Sequence, residues 1–324
     1  MTSRLAWLVT PRGRTFSFGC VCAASCTAFL ANFVPETFCI HKYKEIVSLY
    51  QSAEPVPLAE SVMKRWNEVL ADLSLPKHEI KYLEPFTVFG FNVFRAGSVT
   101  SRWGAIIGIP INYKYKDTKT IDPTSIQVNN ESVNWNREDA KNLLDSLVLS
   151  EDAQRYGIAR EVLMAKHDVP MIRSGLAAFM VSTMYLLGRG TNDRLNLLVQ
   201  PRGVRVFFYT FILGFSYAVW AMQNDIINLY WEKEADSALA QLGNRYKKGA
   251  LEFCEKQIKR NIALRTLLGP SGENVYTPCG NEKFLFRQPT LPIDQRKQFF
   301  ADSLNPVKPP VETEGGEKVA AELA

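Results

Sequence analysis

Between Arg14 and Glu36 the chain runs for 21 residues without a charge, and between Arg205 and Asp225 for another 19. At about 1.5 Å per residue, a helix of either length crosses the roughly 30 Å hydrocarbon core of a bilayer. In that medium a helix is the one single-segment structure that satisfies all its own backbone polar groups. Both runs are therefore expected to be membrane helices. A third uncharged run, Ser174 to Gly188, has 15 residues. It reaches spanning length when the preceding "VPMI" joins it and Arg173 snorkels to the interface; the alternative is a buried core helix. The short polar connection "RGTNDRLNLLVQPRGVR" then makes residues 173–224 a helical hairpin. A hairpin returns the chain to the side it left, so both soluble segments share one compartment.

The remainder predicts an α+β, mainly helical membrane protein. Its parts are a basic N-terminus (1–14), a membrane helix (15–35), a soluble α+β segment (36–172), the hairpin (173–224), a helical soluble segment packing back on the first (225–304) and a disordered Pro- and Glu-rich tail (305–324). Within 36–172, residues 46–73 read as two helical pieces broken at "AEPVP". Leu58, Val62, Trp66, Val69, Leu70 and Leu73 form one apolar stripe, ended by Pro76. "YLEPFTVFGFNVFRAG" and "WGAIIGIPINYKY" read as strands, and "SIQVNNESVNW" as two brief strands around a turn. Asn136 and Ser150 are the expected N-caps of "REDAKNLLDSLVL" and "EDAQRYGIAREVLMAKHD", the second an amphipathic helix. Past the hairpin, separate helices are expected up to Gly243 and then up to a Gly269-Pro270 stop.

Charge and motif content exclude several classes. Lys and Arg exceed Asp and Glu by 38 to 33, and the surplus lies next to the apolar runs, so it speaks to membrane topology rather than nucleic acid. No phosphate-binding glycine loop occurs, and the three histidines, His41, His78 and His167, include no pair at helical spacing. Cys20, Cys22 and Cys26 sit in the first apolar run, where small residues packing in a membrane helix is the plain reading. No cofactor is expected.

One motif carries chemistry by its near miss. "AREVLMA" would be the zinc-binding H-E-x-x-H helix if Arg160 and Met164 were both His. "NVFRAG", "GAIIGIPI", this helix, a membrane hairpin and "WEKEADSALAQL" stand in an order that resembles the membrane zinc metallopeptidases of the HtpX type. In that correspondence Glu161 takes the place of the general base and Glu232 that of the third ligand, with Asp236 completing E-x-x-x-D. A guanidinium and a thioether cannot replace two neutral imidazoles on zinc. Arg160 is instead available to pair with Glu232 or Asp236 and hold such a site shut. The alternative is an ordinary helix surface.

A closer resemblance lies toward the C-terminus. "EFCEKQIKRNIALRTLLGPSGENVYTPCGN", followed by "FLFR" and "LP", and the mid-chain "AQRYGIAREV" and "IGIPINY" resemble the transmembrane protein 177 family from about Phe86 to Arg296. That resemblance implies a multi-pass protein of the mitochondrial inner membrane without catalytic activity. Its implied role is to stabilise newly synthesised cytochrome c oxidase subunit 2 together with the subunit's assembly chaperone. Arg4, Arg12 and Arg14, with no acid before Glu36, fit mitochondrial targeting; a secretory signal-anchor fits them too, and the sequon Asn130-Glu131-Ser132 belongs to that alternative. Phe211, Phe215 and Tyr217 on the last span are the expected partner-packing surface. The 188–205 loop carries Arg189, Arg194, Arg202 and Arg205 against Asp193, which places it and the N-terminus in the matrix if three spans exist. The soluble segments then face the intermembrane space; with two spans the sidedness is free to invert.

Overall fold

The computed structural model describes residues 7, 10–123, 126–128, 131–197 and 199–305; the sequon's Asn130 and almost all of the expected disordered tail lie outside the described residues. Among the described residues, three helices are long and apolar enough to cross a membrane. The first, α1 (Pro11–Phe33), opens on Thr10, whose hydroxyl accepts from the Gly13 N–H, with Pro11 in the first turn where its missing N–H costs nothing.

α2 (Ile40–Val47) follows, and the chain then pairs β1 (Tyr50–Gln51) with β2 (Glu54–Pro55) in a small hairpin. The first helical piece expected from residue 46 is thus displaced: helix ends there, and the Leu49 N–H donates to the Thr87 carbonyl instead of continuing it. Ser52 and Ala53 turn the hairpin with φ of 53° and 66°, as its tight geometry requires. α3 (Glu60–Asp72) buries Val62, Trp66, Val69 and Leu70, the predicted stripe, and α4 (Lys77–Ile80) is a single turn opened by Pro76.

The sheet is small and mixed. β3 (Leu83–Val88) runs parallel to β5 (Ala105–Pro110), and β4 (Phe94–Gly97) pairs antiparallel on the other side of β5. Every residue of the central β5 is buried, as a strand covered on both faces must be. β6 (Gln127–Val128) and β7 (Glu131–Ser132) pair antiparallel as the two brief strands expected there. α5 (Glu138–Leu147) does not use Asn136 as its cap: Arg137 holds that position, and the Asn136 N–H turns back to Asn134 Oδ1. Glu138 and Asp139 in the first turn offset the helix dipole instead.

α6 (Glu151–Ala165) is capped by Ser150 as expected, yet it is not amphipathic. Ala153, Tyr156, Gly157, Ile158, Ala159, Val162, Met164 and Ala165 are all buried, because α3, the sheet and two later helices enclose it on every side. Gly157 and Gly249 let those neighbours close in: a Cβ on Gly249 would stand 2.6 Å from the Asp152 carbonyl carbon, and one on Gly157 would strike the Tyr113 hydroxyl. Each fully buried Ile, Val or Phe contributes about 1.5–3 kcal/mol, so this helix is the axis of the soluble core.

α7 (Val169–Leu195) takes in both "VPMI" and the polar segment after Gly188, giving the short run its spanning length. Arg173 does not simply reach for water. Its Nη2 donates to Asn228 Oδ1 (2.6 Å) and its Nη1 lies 4.0 Å from Glu36 Oε1, so it joins the membrane exits of all three long helices. α1 lies along α7, with Ser25 and Ser182 hydroxyls 3.1 Å apart between them.

α8 (Arg202–Gln241) runs without a break through the expected boundary between hairpin and soluble segment at residues 224–225. It is one helix of 40 residues, about 60 Å long, long and apolar enough in its first part to cross a membrane, and it continues into the α+β core. No Gly or Pro lies between Asp225 and Gln241 to stop it. α9 (Asn244–Leu267) packs against α6, α10 (Pro270–Val275) starts after Gly269 at φ 57°, and α11 (Ile293–Leu304) closes over α9.

Candidate functional site

The near-zinc motif and the E-x-x-x-D pair meet. Arg160 and Glu161 lie on α6, while Glu232 and Asp236, one turn apart on α8, share a face because residues four apart on a helix are neighbours. Arg160 Nη1 donates to Glu161 Oε1 (2.7 Å), its Nη2 stands 3.0 Å from Glu232 Oε1 and its Nε 3.6 Å from Asp236 Oδ1. The last two are charge contacts lying off the hydrogen-bonding directions. Glu161 also takes Arg95 Nε from β4 at 3.2 Å. Met164 is buried one turn further along α6, and its carbonyl accepts from Arg95 Nη1 at 3.5 Å.

Three residues that sequence reasoning missed, Arg95, Tyr156 and Arg296, complete the cluster. Arg296 of α11 donates from Nε to Asp236 Oδ2 (2.8 Å) and from Nη2 to the Tyr156 hydroxyl (2.8 Å), which itself donates to Asp236 Oδ1 (2.7 Å). Glu232 Oε2 accepts the Leu291 N–H (2.8 Å). Arg296 sits 60 residues beyond Asp236 in an unremarkable charged helix, so no local pattern marks it. Arg95 had a signal, a charge inside a strand segment, and Tyr156 had none.

The electrostatics are those of a closed lock. Three guanidinia (Arg95, Arg160, Arg296) face three carboxylates (Glu161, Glu232, Asp236), all largely buried. Burial and the nearby Arg296 oppose the charge on Arg160, yet Glu161, Asp236 and Glu232 outweigh them and its pKa is raised. Burial likewise opposes the charge on Arg296, and Tyr156 and Asp236 overcome it, so its pKa rises well above the ordinary value. The Tyr156 hydroxyl, fully buried, is pushed far above the ordinary phenol range and stays a neutral donor. A guanidinium lies against both carboxylates that a metal would need, and among the described residues no three His, Cys, Asp or Glu are grouped as metal ligands. A cavity of 370 Å³ opens beside the lock, lined in part by Arg160, Glu232, Arg260, Asn261 and Arg296.

The partner-packing residues lie elsewhere, on the membrane-spanning part of α8. Phe211 and Phe215 stack on one exposed stripe with ring centroids 6.3 Å apart. Tyr217, also exposed, belongs to a different stripe and lines a 300 Å³ groove with Ala28, Asn32, Ala177, Ser216 and Trp220 from all three spans.

The fold and the lock together define an α+β membrane protein with three candidate spans among the described residues, the last of which runs on into the α+β body and is tied there by buried charge. Comparison of sequences gives the family. The family model Transmembrane protein 177 matches residues 90–288. The chain is 31% identical to Transmembrane protein 177 of Homo sapiens over 80% of this chain and 85% of that protein. It is 31% identical to the Rattus norvegicus protein over 77% and 81%, and 27% identical to that of Xenopus laevis over 87% and 91%. The chain belongs to the transmembrane protein 177 family. No solved structure matches it.

Proposed function

We propose that this protein is a non-enzymatic assembly factor of the mitochondrial inner membrane, which stabilises newly synthesised cytochrome c oxidase subunit 2 and that subunit's assembly chaperone. The family resemblance supplies the partner, and one structural observation supports the mode. The groove among the spans presents Ser216 Oγ and Trp220 Nε1, both buried without a hydrogen-bond partner, beside the small side chains Ala28 and Ala177. A newly inserted subunit exposes small and polar helix faces that need such a temporary partner within the bilayer. Phe211 and Phe215 widen the packing surface beside the groove. The lock at Arg160 serves this role by fixing the angle at which α8 enters the body, and it needs no metal and no substrate.

The hairpin loop, with its arginines, belongs in the matrix and both soluble segments in the intermembrane space. Protease treatment of mitoplasts carrying a C-terminal tag tests this: digestion of the tag before detergent is expected, and protection refutes the arrangement. The role itself is tested by pulse-labelling mitochondrial translation and purifying the tagged chain. Labelled oxidase subunit 2 should co-purify, and its lifetime should fall when the protein is lost while translation rates stay the same. Equal lifetimes with and without the protein refute the proposal. Ser216→Trp, which fills the groove, should weaken capture at unchanged abundance.

A further inference from the structure

The segment between α10 and α11 ends in an apolar tip held at both sides. On one side the Lys283 N–H donates to the Val275 carbonyl (2.8 Å), after a turn in which Tyr276 bridges Glu282. On the other, Arg287 grips Asp225 of α8 with two bonds, Nη2 to Oδ1 at 2.7 Å and Nε to Oδ2 at 3.0 Å. Between these pins stand Phe284, Leu285 and Phe286, and the last two are 81% and 92% exposed. A tip of such residues, fixed rather than frayed and turned away from its own protein, has a large unmet apolar surface.

Its height above the membrane is set by the pins. Asp225 is the first charge after the 19-residue apolar run of α8. One turn on, Asn228 binds the Arg173 that also reaches Glu36, so the membrane exits of α1, α7 and α8 lie at one level. Phe286 adjoins Arg287 in the chain and Leu285 is two residues away, so both lie within about 7 Å of the Arg287 backbone. The polar interfacial zone on each side of the hydrocarbon is about 5–8 Å thick. On the α1 side the same level carries a second feature of matching composition. Trp103, in the β4–β5 loop, packs on Phe38 (4.6 Å between ring centroids) and on Phe33 at the end of α1 (5.6 Å), with the Arg102 guanidinium 4.5 Å over its ring. Trp and other aromatic rings backed by arginine are the side chains that favour the headgroup region.

We propose that Leu285 and Phe286 form an interfacial foot, inserted at the headgroup–acyl boundary of the same bilayer that α1, α7 and α8 cross, with Arg102–Trp103 as its counterpart on the α1 side. The occupant of this apolar tip is lipid. Arg287 has two tasks: it neutralises Asp225 at the membrane exit of α8, and it sets the depth of the foot. The soluble body is then seated on the membrane at two points besides its helices, which keeps α8 from tilting freely between bilayer and lock.

The test uses the full chain with its six cysteines replaced and a single Phe286→Cys carrying an environment-sensitive fluorophore, in phosphatidylcholine vesicles containing nitroxide lipids. Phe286 packs against almost nothing, so the label leaves the fold intact. Lys248→Cys is the reference, on α9 just past the far end of α8, about 24 Å along that helix from Asp225. The label at 286 is expected to emit further to the blue than at 248 and to be quenched more by a nitroxide at headgroup level than by one at the bilayer centre. Quenching as weak as at 248 from both nitroxides would mean that the tip lies in water or under another protein, and would overturn the proposal. Quenching chiefly by the central nitroxide would overturn it too, by placing the tip in the hydrocarbon.

Discussion

Replacing Arg160 by Met keeps the hydrophobic stem and removes only the charge. The cluster then passes from three guanidinia against three carboxylates to two against three, and the uncompensated carboxylate is Glu232, whose Oε1 had only Arg160 beside it. At an effective dielectric of about 20, each Arg160–carboxylate contact is worth roughly 4 kcal/mol of gross attraction, reduced by repulsion from Arg296 and by the desolvation already incurred. Removing one member of a buried ion pair costs about 3–5 kcal/mol, and Arg160→Met is expected to fall in that range. The second substitution decides the matter. Glu232→Gln added to Arg160→Met restores neutrality, because Arg95 still pairs with Glu161 and Arg296 with Asp236, and the Gln carbonyl can still accept the Leu291 N–H. The double variant should therefore recover about 2 kcal/mol of what the single variant lost, a coupling within the usual range for contacting charges. Pulse proteolysis of the full chain in mild detergent, across a denaturant series, measures the loss. If Arg160→Met matches the parent protein, or the double variant is no more stable than the single, the charge lock is not what holds α6 to α8.

Three further outcomes are expected. Glu161→Gln, which leaves Arg95 and Arg160 facing one fewer charge, should lower stability by about 1.5–3 kcal/mol, while the capture of oxidase subunit 2 proposed above stays unchanged per folded molecule; lost capture at full abundance would reopen an enzymatic reading. Gly249→Ala should cost about 1–3 kcal/mol in the same unfolding assay, because the new methyl meets the Asp152 backbone and must part α9 from α6. His167, stacked on Trp231 at 3.6 Å, has its pKa lowered below 6.5 chiefly by burial, so the unfolded chain takes up the proton first. Its contribution is complete above about pH 6.5 and is lost as pH falls toward the folded pKa; His167→Asn should flatten that acid-side slope in melting temperature, and an unchanged slope would clear His167 of the role.

What the sequence determined by itself is whatever depends on neighbours in the chain. Uncharged runs of bilayer length fix membrane helices because the solvent of the hydrocarbon leaves the backbone no other partner, and alternation with Gly and Pro stops marks strands and turns. The Ser150 cap, the α3 stripe from Val62 to Leu70 and the β5 strand were all legible for that reason. The shared face of Glu232 and Asp236 was legible too, because residues four apart on a helix are neighbours; that Arg160 could reach them followed only from the order of segments resembling the zinc metallopeptidases. Tertiary structure decided the rest. It carried α8 without a break past Asp225, since nothing in the local sequence distinguishes a helix leaving a membrane from one entering a protein core. It buried α6 on all sides, where helical periodicity could show only which residues align and not how many neighbours would cover them. It also brought Arg95, Tyr156 and Arg296 from a strand and two helices onto Glu161 and Asp236. Charge compensation acts through space at a few ångströms, and the distance along the chain between partners leaves no trace in the sequence of either.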